Sequence, residues 1–356
     1  MLRTRTEFYP LTVARVDPLT DDSAAVTFDV PPELAERFAF APGQSLTVRR
    51  GDERRSYSIC AARGRAPRIG VREVAGGVVS SWLVHQVQPG DVVEVQAPAG
   101  SFTPDLDVPG QHVLIAAGSG ITPVLSIAGS LLAAQAGSAV TLLYGNRRSD
   151  SVMFADEIAD LKDAYPDRIC LIHVLSREPQ EVELFNGRLD AAKLRALLPV
   201  TVDVAAVDHW WLCGPHRMVE DAIGLLAELG VPRSRIHREL FYVEDEPPPP
   251  AGHADAPAGP GAEVTVLLDG RRSTATVPVG TPVLDGAQRV RPDLPFACKG
   301  GVCGTCRARL TDGEVKMRRN YALEPSELAA ETGLTLVGFL RGASMNVYTG
   351  TQRIQP

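Results

Sequence analysis

The 356-residue sequence is short of several things, and each shortage removes a class of protein. No uninterrupted apolar run is long enough to span a bilayer, and the opening residues Met1-Leu2-Arg3-Thr4-Arg5-Thr6 lack the apolar centre of a signal peptide. These absences predict a cytoplasmic protein with no membrane partner. Charge of one sign is not in excess: 36 Lys and Arg against 43 Asp and Glu leave a net charge of -7, which offers nothing to a nucleic-acid backbone. Cysteine is sparse, six in all, and three crowd into one loop, so a disulfide framework is excluded and a reducing compartment is predicted. The histidines, His85, His112, His173, His209, His216, His237 and His253, are scattered and read as structural or solvated. After Cys306 there is no further cysteine or histidine, and after Glu331 no further Asp or Glu.

What is present is an ordinary globular composition, 44% hydrophobic, in a chain long enough for two or three domains with their own cores. Residues 1–108 alternate over short segments split by Pro and Gly: Leu11–Val16, Ala25–Val30, Ser45–Val48, Ser56–Ile59, Arg68–Glu73 and Asp91–Gln96. That pattern predicts a small antiparallel barrel. Within it, Arg54-Arg55-Ser56-Tyr57-Ser58-Ile59 places Arg55 and Tyr57 on one face of a strand. A cation, an aromatic plane and a hydroxyl suit a flavin, with Arg55 at phosphate, Tyr57 stacked on the ring and Ser58 at its polar edge. A solvated cation pair beside a packed tyrosine is the plain alternative. Further on, Gly76-Gly77-Val78-Val79-Ser80 leads into a helical stretch, Trp82–Val87, and fits a pyrophosphate at a helix N-terminus.

Residues 109–245 change to alternating apolar runs and helical periods. Strands are predicted over His112–Ala117, Val140–Tyr144, Ile169–Leu175, Trp210–Cys213 and Arg235–Leu240, with helices over Pro123–Gln135, Met153–Ala164, Ala191–Leu198 and Arg217–Leu229. Strand and helix in strict turn mean a parallel sheet covered on both faces. The first strand runs into Gly118-Ser119-Gly120-Ile121-Thr122-Pro123, a glycine loop opening a helix, of the kind that cradles a dinucleotide pyrophosphate. A later strand ends in Leu212-Cys213-Gly214-Pro215, at the edge where such sheets bind ligands. Ser176-Arg177 suits a ribose phosphate, with a solvated loop arginine as the alternative.

Residues 246–262 hold Pro247-Pro248-Pro249-Pro250 followed by much Ala, Gly and Pro, and read as a semi-stiff tether. In 263–356, Glu263–Leu268 and Arg272–Val277 resemble a hairpin and Val283–Arg289 a short helix. Then comes Cys298-Lys299-Gly300-Gly301-Val302-Cys303-Gly304-Thr305-Cys306. The C-x4-C-x2-C spacing is that of plant-type 2Fe-2S loops, with glycines where a tight loop must turn several thiolates inward. A zinc site is the nearest rival, but it usually needs a second Cys or His pair, and none follows.

With these residues in view, the chain resembles the ferredoxin-NADP reductase-type flavoproteins that carry a C-terminal plant-type ferredoxin domain. Arg55-x-Tyr57-Ser58, Gly118–Pro123, Cys213-Gly214-Pro215, Glu239-Leu240-Phe241-Tyr242-Val243 and the cysteine loop fall in that family's order. Asn320-Tyr321-Ala322-Leu323-Glu324-Pro325 narrows the likeness to reductase components of bacterial ring 1,2-phenylacetyl-CoA epoxidases, with ketosteroid hydroxylase reductases similar. The resemblance implies three domains: an antiparallel β-barrel for FAD, an α/β parallel-sheet domain for NADPH and an α+β β-grasp domain for a 2Fe-2S cluster. It implies FAD contacts from Arg55, Tyr57, Ser58 and Ser80, and pyrophosphate contacts from Gly118, Gly120 and Thr122. Cys213, with Gly214, Pro215 and Phe241, falls near the nicotinamide, and Ser176 and Arg177 at a 2′-phosphate. Tyr57, Ser58 and Cys213 are the residues at the reacting centre, and Cys298, Cys303 and Cys306 ligate the cluster. The implied partner is the oxygenase component of a multicomponent monooxygenase, which accepts the electrons and itself binds the CoA ester. Redox chemistry then belongs to the cofactors, and no proton-shuttling triad is expected.

The likeness stops after Leu336. The family's fourth cysteine, due near Val337 or Gly338, is missing, and so is the acidic end of the strand that should follow. A reading-frame change near that codon explains the joint loss; a natural variant in which a hydroxyl or water completes the cluster is the alternative. A three-cysteine cluster is expected to be labile.

Overall fold

The computed structural model describes residues 7–51, 53–241, 261–268, 270–291, 294, 296, 301, 306, 308–315, 317, 336–341 and 344–349. Among them no helix is long and apolar enough to cross a membrane.

The first part comprises β1 (Phe8–Thr20), β2 (Ser23–Asp29), α1 (Ala35–Phe38), β3 (Ser45–Arg50), β4 (Glu53–Ser58), β5 (Arg68–Arg72), α2 (Val78–His85) and β6 (Val92–Gln96). The strands form an antiparallel sheet in the order β4-β3-β6-β1-β2-β5. Its two edges are joined by the Ile59–Ile69 bridge and by Cys60 N–H donating to Arg68 O at 2.8 Å, which closes the sheet into a barrel and removes free edges. Alternate residues, among them Leu11, Val13, Leu46, Val48, Val93 and Val95, fill the interior, as the period-two pattern demands. Helix α2 starts earlier than the predicted Trp82–Val87, at Val78, directly after the Gly76-Gly77 turn.

The second part is β7 (Gln111–Ala117), α3 (Ile121–Ala134), β8 (Ala139–Asn146), α4 (Ala155–Ala164), β9 (Ile169–Leu175), α5 (Ala191–Thr201), β10 (His209–Gly214), α6 (His216–Glu228) and β11 (Ile236–Leu240). Its five parallel strands lie in the order β11-β10-β7-β8-β9. The chain therefore leaves β7 to one side for β8 and returns to the other for β10. The crevice beyond the carboxyl ends of β7 and β10 is the topological switch point where open α/β sheets bind ligands. Helix α4 begins two residues later than predicted because Phe154 takes a left-handed conformation, φ 59°, ahead of it.

The histidines are less scattered than the sequence suggests. His112, His209 and His237 gather on the sheet around Trp211, which stacks on His237 at 4.1 Å and donates from Nε1 to His112 Nδ1 at 3.3 Å.

The third part shows β12 (Gly261–Leu268) paired with β13 (Arg271–Pro278), then α7 (Val283–Gln288), and a separate hairpin of β14 (Leu336–Arg341) and β15 (Ser344–Thr349). The tether expected at 246–262 falls outside the described residues up to 260, and β12 begins at Gly261.

Candidate flavin and nicotinamide site

The barrel meets the second part through both β4 and β5. Ser58, at the end of β4, is 4% exposed, and its Oγ donates to Glu239 Oε2 at 3.1 Å, a contact between residues 181 apart in sequence. Glu239 lies on β11, in register with Cys213 on β10. The Glu239 residue keeps some surface, but its carboxyl is enclosed, and burial pushes its pKa up to about 8. It therefore holds its proton at neutral pH. Burial, and then the adjacent Glu239, push the Cys213 thiol well above its ordinary range, so it is an uncharged thiol. Ser58, Cys213 and Glu239 thus form one constellation drawn from both domains. Ser58 and Cys213 were expected at the reacting centre, but a proton-holding carboxyl was not. In the sequence Glu239 appears only as the first residue of the Glu239-Leu240-Phe241-Tyr242-Val243 string that follows the family's order, with no role attached to it.

Tyr57 pairs with Leu46 across the barrel sheet, and burial raises its hydroxyl above its usual value, keeping it neutral. Arg55 makes an ion pair with Glu53 at 2.9 Å and donates from Nη1 to Arg54 O at 2.7 Å. Ser80 spends its hydroxyl locally, accepting from Val74 N–H at 3.1 Å, and so braces the glycine turn before α2. The first turn of α2 has no side-chain cap, which leaves its amides available to an anion. A cation, an aromatic face and an uncapped helix start fit a flavin carrying a pyrophosphate.

On the sheet side Gly118 and Gly120 form one tight turn into α3. Gly118 sits at φ 53°, and a Cβ on Gly120 would lie 2.1 Å from Cys213 O, so only glycine lets this loop press on β10. Thr122, 1% exposed, donates its hydroxyl to Ser119 O at 3.0 Å and so braces the turn. Helix α3 also lacks a side-chain cap. Gly214 is packed tightly enough that a Cβ would meet Met218 Cε at 2.7 Å, Pro215 caps α6, and Phe241 lies half-buried against the sheet core. The amides of Ser176 and Arg177 donate to Asn146 O at 3.0 Å and Arg147 O at 2.8 Å. This seam sets Arg147 beside Arg177, both exposed and neither with a side-chain partner among the described residues. Glu178 next to them is tied off by Ser149, whose N–H and Oγ both donate to it at 2.9 Å. Arg147 carried no motif signal, because only strand pairing brings it to the Ser176-Arg177 corner.

Of the cluster thiolates, Cys306 is described and half-buried, with Gly301 at φ 77° in the same loop; Cys298 and Cys303 lie outside the described residues. Three thiolates on a glycine loop are a donor set suited to iron–sulfur binding. Val337 and Gly338, in β14, bring no ligating side chain.

Comparison with known proteins covers all three parts. Residues 10–103 match the oxidoreductase FAD-binding domain, 114–223 the oxidoreductase NAD-binding domain and 266–336 the 2Fe-2S iron-sulfur cluster binding domain. The last match ends at Leu336. The chain is 41% identical over 335 residues to a component of the 1,2-phenylacetyl-CoA epoxidase of Escherichia coli K12, covering 91% of this chain and 93% of that one. It is 33% identical to the ferredoxin reductase component of 3-ketosteroid-9-alpha-monooxygenase of Rhodococcus rhodochrous, covering 97% and 96%. Among solved structures, the Amycolatopsis cytochrome P450 reductase GcoB superposes with a TM-score of 0.57 at 28% identity, over 66% of this chain and 70% of that one. The chain belongs to the ferredoxin-NADP reductase-type flavoproteins with a C-terminal 2Fe-2S domain, and is an electron-transfer reductase of an oxygenase system.

Proposed function

We propose that the chain passes electrons from NADPH through FAD and a 2Fe-2S cluster to the oxygenase component of a phenylacetyl-CoA epoxidase. The observation that carries the electron route is the Ser58–Glu239 hydrogen bond, which joins the flavin-motif strand to the switch-point crevice beside Cys213. The 41% identity to the epoxidase component along nearly the whole chain supports the choice of oxygenase. NADPH delivers an electron pair as hydride, a cluster takes electrons singly, and FAD, stable with none, one or two, is the converter between them. The residues do the rest. Arg55 holds phosphate and Tyr57 presents its ring to the flavin. Gly118 and Gly120 let the nicotinamide nucleotide approach the backbone. Arg147 and Arg177 supply charge, and Ser176 a hydroxyl, for a 2′-phosphate, which favours NADPH over NADH. Cys213 fills the nicotinamide side of the crevice with an uncharged thiol, and Ser58 orients the Glu239 carboxyl that stores a proton there. Cys298, Cys303 and Cys306 hold the cluster. The working boundaries are 1–108, 109–245, 246–262 and 263–356, in a cytoplasmic protein.

The test begins with anaerobic purification and a count of iron, acid-labile sulfide and flavin per chain, followed by reconstitution with epoxidase and with steroid hydroxylase components. Two irons and two sulfides per flavin, with NADPH-dependent turnover by the epoxidase, support the reading. Turnover with the steroid partner alone transfers the chain to that system, as the Rhodococcus likeness would allow. Flavin without iron, and ferricyanide reduction without reduction of cluster-dependent protein acceptors, make it a flavin-only NADPH diaphorase with a docking domain. Resequencing the gene through the Leu336 codon separates a frame change from a natural variant.

A further inference from the structure

We propose that Arg54 docks the ferredoxin-like domain onto the flavin barrel, its guanidinium gripped between Phe8 of the barrel and Phe296 of the iron–sulfur domain. The inference rests on the electron route proposed above and names a positioning residue for its flavin-to-cluster step.

Arg54 lies on β4, three residues before Tyr57. Its guanidinium carbon is 5.2 Å from the centre of the Phe8 ring and 4.9 Å from that of Phe296. Its Nη1 also points to Leu294 O at 3.5 Å, long for a hydrogen bond and beside Phe296 in the same segment. Neither side of the grip is a stray surface ring. Phe8 carries a second guanidinium, Arg49, at 4.3 Å, and Arg49 is itself held by Glu94 through Nε at 2.7 Å. Phe296 is 8% exposed and Leu294 is 7% exposed. Arginine suits this role because its planar, weakly hydrated cation stacks on aromatic faces, where a lysine ammonium keeps its water.

The contact joins residues 240 apart in sequence, across the Pro-rich tether. Tethering raises the local concentration of one domain at the other to about the millimolar range, so a contact of modest strength suffices to dock them. Its place in the sequence gives it a purpose. Phe296 precedes Cys298 by two residues, which span at most about 7 Å of chain, and Arg54 precedes Tyr57 by three, at most about 10 Å. One cation therefore ties the entry of the thiolate loop to the strand that carries the flavin-stacking tyrosine. Electrons leave the flavin one at a time for the cluster, two such events matching each NADPH, and both need this approach.

The test uses Arg54→Ala, Arg54→Lys and Phe296→Ala in the full-length, anaerobically purified protein. Small-angle scattering is expected to show a larger radius of gyration for the two alanine variants and an intermediate one for Arg54→Lys. In stopped flow, flavin reduction by NADPH and ferricyanide reduction stay within about twofold of wild type, whereas cluster reduction slows about tenfold or more and partly recovers in Arg54→Lys. Unchanged scattering together with unchanged cluster reduction in Arg54→Ala overturns the proposal. So does a tenfold loss of flavin reduction, which would make Arg54 a flavin-binding residue. If wild type carries no cluster, the electron route fails, while the scattering comparison still decides whether Arg54 docks the domain.

Discussion

Arg68 clamps the nicotinamide domain to the barrel, and its removal should weaken both stability and hydride transfer. It stands on β5 with its side chain 13% exposed. Nη1 and Nη2 donate to Glu157 of α4 at 2.9 and 2.8 Å, and Nη2 also donates to Asp17 of β1 at 3.0 Å. The guanidinium lies 5.5 Å from the centre of the ring of buried Phe154, whose backbone is left-handed. Arg68→Met removes three charge-assisted hydrogen bonds, each worth about 1.5–3 kcal/mol when intact. Glu157 and Asp17 are 36% and 29% exposed, so water recovers much of that loss once the guanidinium is gone. The net cost is about 2–3 kcal/mol, and a double-mutant cycle with Glu157→Gln should show coupling of about 1–2 kcal/mol. The assay is urea unfolding followed separately by flavin and tryptophan fluorescence, since Trp210 and Trp211 report the parallel sheet. Because the clamp keeps Ser58 against the sheet that carries Cys213, flavin reduction by NADPH should also slow by about fivefold, roughly 1 kcal/mol. Coupling below about 0.5 kcal/mol with an unchanged flavin reduction rate would refute the reasoning.

Arg147→Ala and Arg177→Ala should each raise KM for NADPH by about tenfold, the equivalent of 1.4 kcal/mol, and leave KM for NADH unchanged, read in steady-state assays. Gly120→Ala should cost about 1–3 kcal/mol and weaken nucleotide binding, since its Cβ would collide with Cys213 O; thermal unfolding and NADP titration check this. Glu239→Gln should abolish a break near pH 8 in the pH dependence of flavin reduction, because the wild-type carboxyl loses its proton there. Burial, then His209, pushes His112 down to about 4, with Asp208 opposing. As a base depressed on folding, it contributes stability that is full above its unfolded pKa of 6.5 and is lost as pH falls toward 4. By pH 4.5 the loss is about 2–3 kcal/mol, which His112→Gln should largely remove in urea midpoints measured against pH.

Local chemistry was legible without coordinates. Alternation in Leu11–Val16 and Asp91–Gln96 marks strands because side-chain direction has period two, and strict strand-helix turn-taking after Gln111 marks a parallel sheet. The Arg55-x-Tyr57-Ser58 string, the two glycine loops and the C-x4-C-x2-C spacing state their chemistry because each works within a few residues of chain. Helix starts were less exact: Phe154 delays α4 through its own left-handed backbone, which a periodicity cannot show.

The sequence by itself determined the order of the three domains, the strand and helix types and the thiolate loop, all of which follow from short-range pattern. Only the tertiary structure decided which groups meet. Glu239 becomes a proton-holding carboxyl because folding encloses it beside Ser58, 181 residues away; Arg147 reaches the Ser176-Arg177 corner through the pairing of β8 and β9; three histidines separated along the chain close around Trp211. Burial and proximity set the pKa of a carboxyl or imidazole, and both arise from contacts between distant segments, so the residues that tune the site emerge only when the sheets assemble.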